Sequence, residues 1–206
     1  AIGRHISIFA PPERAAEQEE KIQKVHAFGA VEGYETGRMD SSGNRIDVEV
    51  TLDVRKDEKG RQIGLTAIMR DIRKRKRAEE ALMETSAILQ TALDCSPAGI
   101  AIADAPDGKL RYVNNAGLAV RGETEKQLVE GIGIDSYVNT WQILHFDGTP
   151  YKPDEVPLAR AILYGEKCDK QFVIRRSGQE DRVVWANAAP VLNDKGEVIA
   201  GIVVFP

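Results

Sequence analysis

The stretch MRDIRKRKRAEEALMETSAILQTALDCSP, residues 69–97, decides how this chain is organised. It starts as the end of a strand, continues as a charged helix and ends at a proline. Small or apolar residues recur at three- and four-residue spacing, at Ala78, Leu82, Thr85, Leu89 and Ala92. Ala81, Ile88 and Leu93 lie beside this stripe. Because so narrow a stripe favours pairing with another helix over filling a core, we predict a linker helix between two sheet-rich units.

Composition narrows the function classes. A chain of 206 residues can form one large domain or two small ones. Its 42% hydrophobic and 29% charged residues are typical of a globular protein, and a net charge of -4 gives no overall attraction to nucleic acid. No apolar run approaches the roughly 20 residues of a membrane span, and the N-terminus does not resemble a signal peptide. We therefore expect a cytoplasmic protein that binds neither nucleic acid nor membrane through this segment.

The residues before the linker predict a helix followed by a three-strand meander. The helix is expected over Glu13–Phe28, and the strands over Val31–Met39, Arg45–Val54 and Gln62–Asp71. The middle strand alternates apolar and polar residues strictly, which indicates an antiparallel strand with one buried face. Turn residues around Gly43 and Gly60 separate the strands.

The residues after the linker predict a longer version of the same pattern. An opening pair of strands is expected at Ala98–Asp104 and Leu110–Asn114, and the segment 131–152 reads as irregular. The predicted helices are Asn115–Arg121, Glu123–Glu130 and Pro153–Tyr164. The predicted closing strands are Lys170–Arg176, Asp181–Leu192 and Val198–Phe205.

Both halves therefore end in the same order of elements, which indicates two copies of one module. The turns KDEKGR and NDKGE, for example, fall at matching places. The first copy lacks an opening pair of strands, so the chain is expected to begin inside it. A sheet left open in this way has an unpaired edge, and we expect the fragment to form a homodimer through that edge or through strand exchange.

These features resemble the PAS domain, the small sensor module of bacterial signalling proteins. Arg70-Asp71-Ile72-Arg73 followed by KRKRAEEAL resembles the DIT ending of a PAS domain and its linker, with Arg73 in place of the threonine. Ser96–Ile100 resembles the start of the next PAS core, and YVNNA resembles its second strand. The loop and helix DGTPYKPDEVPLARAILYGE resemble a long-loop subtype that is common in sensor kinases.

The resemblance implies an α+β PAS fold, in which helices flank an antiparallel sheet. Its limits would be 1–72 for the C-terminal part of a first PAS domain, 73–96 for a helical linker and 97–206 for a second, nearly complete domain. It further implies a sensory-box module of a two-component system, with a histidine kinase as the effector on the same polypeptide. Asp71, Ile72 and Arg73, at the end of the first sheet, would relay the signal.

Catalysis by these residues is not expected. The sequence has no P-loop, GxGxxG, HExxH or GxSxG motif, no CxxC or histidine cluster for a metal, and no kinase phosphorylation or ATP-binding block. His26 and His145 are isolated, so neither indicates a haem ligand. Cys95 and Cys168 lack the surroundings of a flavin-reactive cysteine, and their isolation fits a reducing compartment. No cofactor is therefore expected.

A small ligand pocket in the second module is the remaining candidate site. Its predicted lining combines apolar core positions with Trp185 and Asn187, which share one face of a strand and carry polar groups that need partners. The candidates are Ile100, Ile102, Val113, Trp141, Leu158, Ile162, Phe172, Trp185, Asn187 and Val203. Arg160 and Arg175 are candidates for the mouth of the pocket.

Two functions of different classes follow, beside a third and less favoured one, an enzyme that uses bound haem or flavin. In the first, a small ligand or a partner acts on the second module, and the linker helix, paired in a parallel dimer, relays the change. In the second, the modules bind nothing small and serve as a dimerisation scaffold. The basic run Arg73–Arg77 is interpreted as a solvated helix face, because no aromatic residue accompanies it and Glu79 and Glu80 follow.

Overall fold

The structure, a computed structural model, describes residues 6–122, 131–176 and 178–206. The chain divides into two compact units, unit 1 (Ala1–Ser86) and unit 2 (Ala87–Pro206). The division falls inside the predicted linker, so the limits 1–72, 73–96 and 97–206 stay predictions. The predicted helix Glu123–Glu130 lies outside the described residues.

Unit 1 is a helix followed by a three-strand antiparallel meander. Two 3₁₀ turns, Ile6–Phe9 and Pro12–Arg14, precede helix α1 (Ala15–Phe28). The strands are β1 (Ala30–Met39), β2 (Arg45–Lys56) and β3 (Gln62–Asp71), paired in the order β1-β2-β3. The core forms where Val25 of α1 meets the alternating apolar residues of β2, namely Val48, Val50 and Leu52.

Unit 2 is a six-stranded antiparallel sheet packed with helices. Its helices are α3 (Asn115–Arg121), α4 (Ile134–Trp141) and α5 (Pro157–Tyr164), following α2 (Arg73–Cys95), which both units share. Its strands are β4 (Gly99–Asp104), β5 (Leu110–Val113), β6 (Ile143–Leu144), β7 (Cys168–Ile174), β8 (Arg182–Leu192) and β9 (Val198–Phe205). The strand order β5-β4-β9-β8-β7-β6 places the opening pair beside the last strand of the meander.

The repeated turns have a common physical basis. In the turn after β2, Asp57 Oδ1 accepts hydrogen bonds from the backbone N–H groups of Lys59 and Arg61, both at 2.9 Å. In the turn after β8, Asn193 Oδ1 accepts from Lys195 and Glu197 in the same way, at 2.9 and 3.0 Å. A short acceptor side chain at the first position thus closes both hairpins.

Two predictions for unit 2 were wrong in detail. The segment 131–152 was predicted to be irregular, but it contains α4 and β6. The predicted helix Pro153–Tyr164 is a 3₁₀ turn, Pro153–Glu155, followed by α5. Val156 between them is extended, with ψ 133°, because the ring of Pro157 excludes helical backbone at the preceding residue.

Helix α2 is exposed along its length. No residue of its 23 is buried, and its large apolar side chains, Leu82, Met83, Ile88 and Leu89, are each at least 60% exposed. In the described part of the chain, no helix combines the length and the apolar character needed to cross a membrane.

Asn114 joins the end of α2 to the sheet and to α3 within unit 2. Its side chain is 1% exposed. Oδ1 accepts from the N–H groups of Ile100 and Gly117, both at 2.8 Å, and so caps α3. Nδ2 donates to the carbonyls of Leu93 and Ala98, at 3.0 and 2.9 Å. One buried amide therefore satisfies four backbone groups of three elements.

We predict that Asn114→Ala destabilises unit 2 by about 2–4 kcal/mol, because it leaves buried backbone groups without partners. Both tryptophans, Trp141 and Trp185, lie in unit 2, so tryptophan fluorescence during urea unfolding reports this unit.

The matched control is Asn115→Ala, which removes an exposed amide from the neighbouring position and is expected to cost less than about 0.5 kcal/mol. Equal effects of the two substitutions would show that Asn114 does not hold the unit together.

Candidate functional site

Unit 2 encloses a cavity of about 40 Å³ between its sheet and the helices α4 and α5. All six strands of the sheet supply lining residues, and α4, α5 and the adjacent Val156 supply the rest. The cavity is lined by Ala101, Leu110, Tyr137, Trp141, Ile143, Val156, Pro157, Leu158, Phe172, Ile174, Ala186, Val203 and Phe205.

The cavity wall is apolar and carries no charged side chain. The hydroxyl of Tyr137 donates to the carbonyl of Gly108, so its proton already has a partner. Burial, together with the charge of Asp107, raises the pKa of Tyr137 and keeps the phenol neutral. Because a charge would find no partner inside, an occupant of this cavity has to be uncharged.

Four of the predicted pocket residues, Trp141, Leu158, Phe172 and Val203, lie together on this cavity. Ile162 belongs to the same buried core, and Val113 packs against it half-buried, but neither lines the cavity.

The predictions for Ile100 and Ile102 were wrong in strand phase. Ala101 lines the cavity and Ala103 is fully buried in the core. Alternate residues of a strand point to opposite faces, so the two isoleucines lie on the other face of β4. Small alanines face the cavity here and leave space in it.

The predictions for Trp185 and Asn187 were also wrong. Both side chains are exposed, Trp185 by 50%, and the indole N–H donates to the carboxylate of Asp169. The inward residues of β8 are Val184, Ala186 and Ala188. The run VVWANAA has apolar residues on both faces, so its pattern does not fix the phase, and a shift of one residue exchanges the faces.

Tyr137 and Ile143 were not predicted as pocket residues, because they lie in the segment that was predicted to be irregular. A signal was present: Ile134, Tyr137, Val138 and Trp141 follow helical spacing at positions i, i+3, i+4 and i+7.

The isolated histidines and arginines lie away from the cavity lining. His26 Nδ1 is 3.0 Å from Gln62 Oε1, and the ring of His145 stacks on Tyr151 at 3.9 Å. The proposed mouth residues have acidic neighbours instead. Arg160 pairs with Glu166 at 2.5 Å, and Arg175 lies 3.6 Å from Asp181.

The cysteines do not contribute to the cavity either. Cys168 is buried in the core but does not line the cavity, and Cys95 is exposed. Within the described ranges, no three His, Cys, Asp or Glu side chains cluster in a way that could hold a metal ion.

In unit 1, the predicted relay residues lie at the joint between β3 and α2. Asp71 Oδ1 accepts from the backbone N–H of Arg73 at 3.0 Å, and Asp71 Oδ2 pairs with Arg73 Nη2 at 2.6 Å. Hydrogen bonds from the Arg73 side chain and backbone lower the pKa of Asp71 to about 2. Ile72 is 3% exposed, and its N–H donates to the carbonyl of Asp47.

The next turn of α2 is held to the meander of unit 1 by ion pairs. Arg75 Nη2 lies 2.5 Å from Glu35 Oε1, and Lys76 Nζ lies 3.3 Å from Glu35 and 3.4 Å from Asp47. Exposed pairs contribute little individually. The buried Ile72 and the capping carboxylate give this joint its geometry, so the start of α2 follows the strands of unit 1.

We predict that Asp71→Ala loosens this joint, because the first turn of α2 loses its acceptor and its only described capping carboxylate. Amide exchange at neutral pH should become faster in residues 73–77. Asp53→Ala, an exposed carboxylate on β2, is the control and should leave this turn protected. Equal protection in Asp71→Ala would contradict the predicted role.

The same joint should weaken at low pH. The folded pKa of Asp71 is depressed from 3.8 to about 2, so its stabilising effect is complete above the unfolded value and is lost as the pH falls through the folded one. An NMR titration should show the Asp71 carboxyl and the Arg73 amide shifting together with a midpoint of about 2. A midpoint at the ordinary value of 3.8 would exclude the pairing.

Comparison with known families gives two matches. One PAS domain model matches residues 1–74, and another PAS domain model matches residues 87–148. Together they cover more than half of the chain. No curated protein matches the sequence.

Several solved structures are similar. An RNA-binding Light-Oxygen-Voltage receptor shares 14% identity over 95% of this chain and 83% of its own, with a TM-score of 0.46. The PAS domain of an HTR-like protein from Haloarcula marismortui shares 21% identity over 64% of this chain and 98% of its own, with a TM-score of 0.45. The LOV domain of a blue-light activated histidine kinase from Erythrobacter litoralis shares 18% identity over 54% and 95%, with a TM-score of 0.41.

The two model matches confirm the PAS resemblance of the sequence, and the antiparallel sheets flanked by helices confirm the α+β class. The chain belongs to the PAS domain family and carries two PAS units in succession.

Proposed function

We propose that this chain is a signal-sensing module in which the cavity of unit 2 takes a small uncharged ligand and α2 carries the resulting change. PAS units are sensory domains, and unit 2 contains an apolar cavity inside its core. The observation that carries the proposal is the short route of hydrogen bonds from the cavity wall to the end of α2.

That route has three steps within unit 2. Ala101 lines the cavity, and the N–H of its neighbour Ile100 donates to Asn114 Oδ1. Asn114 Nδ2 then donates to the carbonyl of Leu93 in α2. Beside it, the hydroxyl of Tyr112 on β5 donates to Asp94 Oδ1 at 2.6 Å. A ligand that displaces β4 would therefore move the last turn of α2.

The size of the cavity limits the ligand. An apolar cavity of roughly 150 Å³ holds benzene, whereas the one in unit 2 measures about 40 Å³. The proposed occupant therefore has few non-hydrogen atoms, unless Trp141 or Phe172 moves to enlarge the space.

The exposed stripe of α2 supports a dimer as the receiving end of the signal. Leu82, Met83, Ile88 and Leu89 would be covered by the same helix of a second copy, as in a coiled coil. A change at one end of a paired helix can be read as a change of register or rotation. The further expectations are a cytoplasmic location, no cofactor, no catalysis by this chain and, by resemblance, a histidine kinase effector on the same polypeptide.

The second candidate is a PAS dimerisation scaffold that binds nothing small. The narrowness of the cavity favours it, because side chains of the core already occupy most of that space. In this case the same route through Asn114 would transmit strain from a neighbouring domain rather than ligand binding.

A substitution that fills the cavity separates the two candidates. We predict that Ala186→Val, on the wall of the cavity, abolishes the binding of xenon, a probe for dry apolar cavities. Xenon NMR of the wild-type protein should show saturable exchange with a bound site. The control Ala189→Val adds the same groups to a half-buried position on the opposite face of β8 and should keep xenon binding.

Absence of xenon binding in the wild-type protein would favour the scaffold. Binding of equal strength in both variants would show that the cavity of unit 2 is not the site.

A further inference from the structure

Unit 1 contains a second cavity, of about 10 Å³, and its wall differs chemically from the one in unit 2. It lies between α1 and the meander sheet, with the Ile6–Phe9 turn at one side. The cavity is lined by Ile6, Gln18, Ile22, Tyr34, Arg38, Val50, Leu52 and Met69. Gln18 is 5% exposed and Arg38 is 3% exposed, so two strongly polar side chains are buried on an otherwise mostly apolar wall.

Both side chains have polar atoms without partners. Neither Oε1 nor Nε2 of Gln18 makes a hydrogen bond in the described part of the chain. Arg38 Nη1 donates to Thr36 Oγ1 at 3.3 Å and to the carbonyl of Gly37 at 3.1 Å, and Nη2 donates to the Tyr34 hydroxyl at 3.2 Å. Arg38 Nε is left without an acceptor.

The carboxylates near this cavity form their ion pairs with cations other than Arg38. Among the described residues, no carboxylate forms an ion pair with Arg38. The neighbouring acid, Glu17, is paired with Arg14 at 2.6 Å. Lys21 adds a further positive charge 5.2 Å from the centre of the Tyr34 ring. The charge of Arg38 acts on Glu17 and that of Lys21 on Glu20, so the feature that calls for an additional acceptor is the unpaired Nε of Arg38.

Buried polar groups in folded proteins nearly always have a partner, either in the protein or in something bound to it. A buried guanidinium needs an acceptor, and a negatively charged acceptor serves it best. A carboxylate oxygen at Arg38 Nε meets this need and can also accept from Gln18 Nε2. The apolar neighbours Ile22 and Leu52 suit a short aliphatic group attached to it.

We propose that the cavity beside Gln18 and Arg38 is a second ligand site, which takes a small free monocarboxylate. The enclosed space suffices for about one water-sized group, which is the size of the oxygen that Arg38 would bind. The remaining atoms need space beneath the Ile6–Phe9 turn. None of the residues of this turn is buried, and the proposed site requires the turn to shift outward.

The position of the site gives it a consequence for α2. Tyr34, Thr36 and Arg38 lie on the cavity side of β1, whereas Glu35, on the other side of that strand, pairs with Arg75 and Lys76 of α2. Binding at Arg38 would therefore act on the strand that holds the start of α2. Unit 1 would sense an anion, and unit 2 an uncharged molecule.

Acetate titration of the full chain tests the site, with ionic strength held constant by chloride and with acetamide as the uncharged control. Calorimetry and thermal unfolding should both show saturable binding of acetate and none of acetamide. Gln18→Met replaces the unpaired amide by an apolar group of similar length and should weaken acetate binding by about tenfold or more. Arg38→Met should abolish it.

Gln23→Met makes the same change at an exposed position of α1 and should bind acetate like the wild type. If Arg38→Met does not fold, by circular dichroism, the comparison of Gln18→Met with Gln23→Met decides alone. The proposal fails if the wild type shows no saturable acetate binding, or if Gln18→Met binds as well as Gln23→Met. It also fails if a crystal grown in acetate holds only a water between Gln18 and Arg38.

Discussion

The buried amide of Asn114 is the interaction on which unit 2 depends. With four hydrogen bonds at 2.8–3.0 Å, it fixes the last turn of α2, the start of β4 and the start of α3 to one another. An apolar residue of similar shape would leave the N–H groups of Ile100 and Gly117 without this acceptor inside the protein, whereas the carbonyls of Leu93 and Ala98 would keep Ser96 as a donor. Two of these bonds, from Ile100 and to Leu93, connect the wall of the cavity to the helix, so the proposed route for a signal passes through a group that stability requires.

The two PAS units attach to α2 by different means. Unit 1 holds the start of the helix with the buried Ile72, the cap from Asp71 and exposed ion pairs to Glu35 and Asp47. Unit 2 holds its end through hydrogen bonds inside the core. Salt screens exposed pairs much more than buried hydrogen bonds, so the first joint is the more easily released. The interiors differ as well, since the cavity of unit 2 is apolar and that of unit 1 carries Gln18 and Arg38.

The sequence was sufficient for the order of most strands and for the PAS fold, because β2 alternates strictly and acceptor–glycine turns bound the hairpins. The sequence was insufficient to predict which residues line the cavity. Trp185 and Asn187 were correctly predicted to share one face of β8, but that face points outward. A strand with apolar residues on both faces does not reveal which face is inward. The orphaned atoms of Gln18 and Arg38 are invisible in a sequence, because pairing depends on which side chains the fold brings together.

In the proposed function, α2 mechanically connects its two attachments. Hydrogen–deuterium exchange along α2, compared between the wild type and Asn114→Ala, tests it most directly. Releasing the end at Leu93 should also speed exchange in the first turn at residues 73–77, which belongs to unit 1. Faster exchange confined to the last turn, with the first turn unchanged, would contradict a relay through the helix.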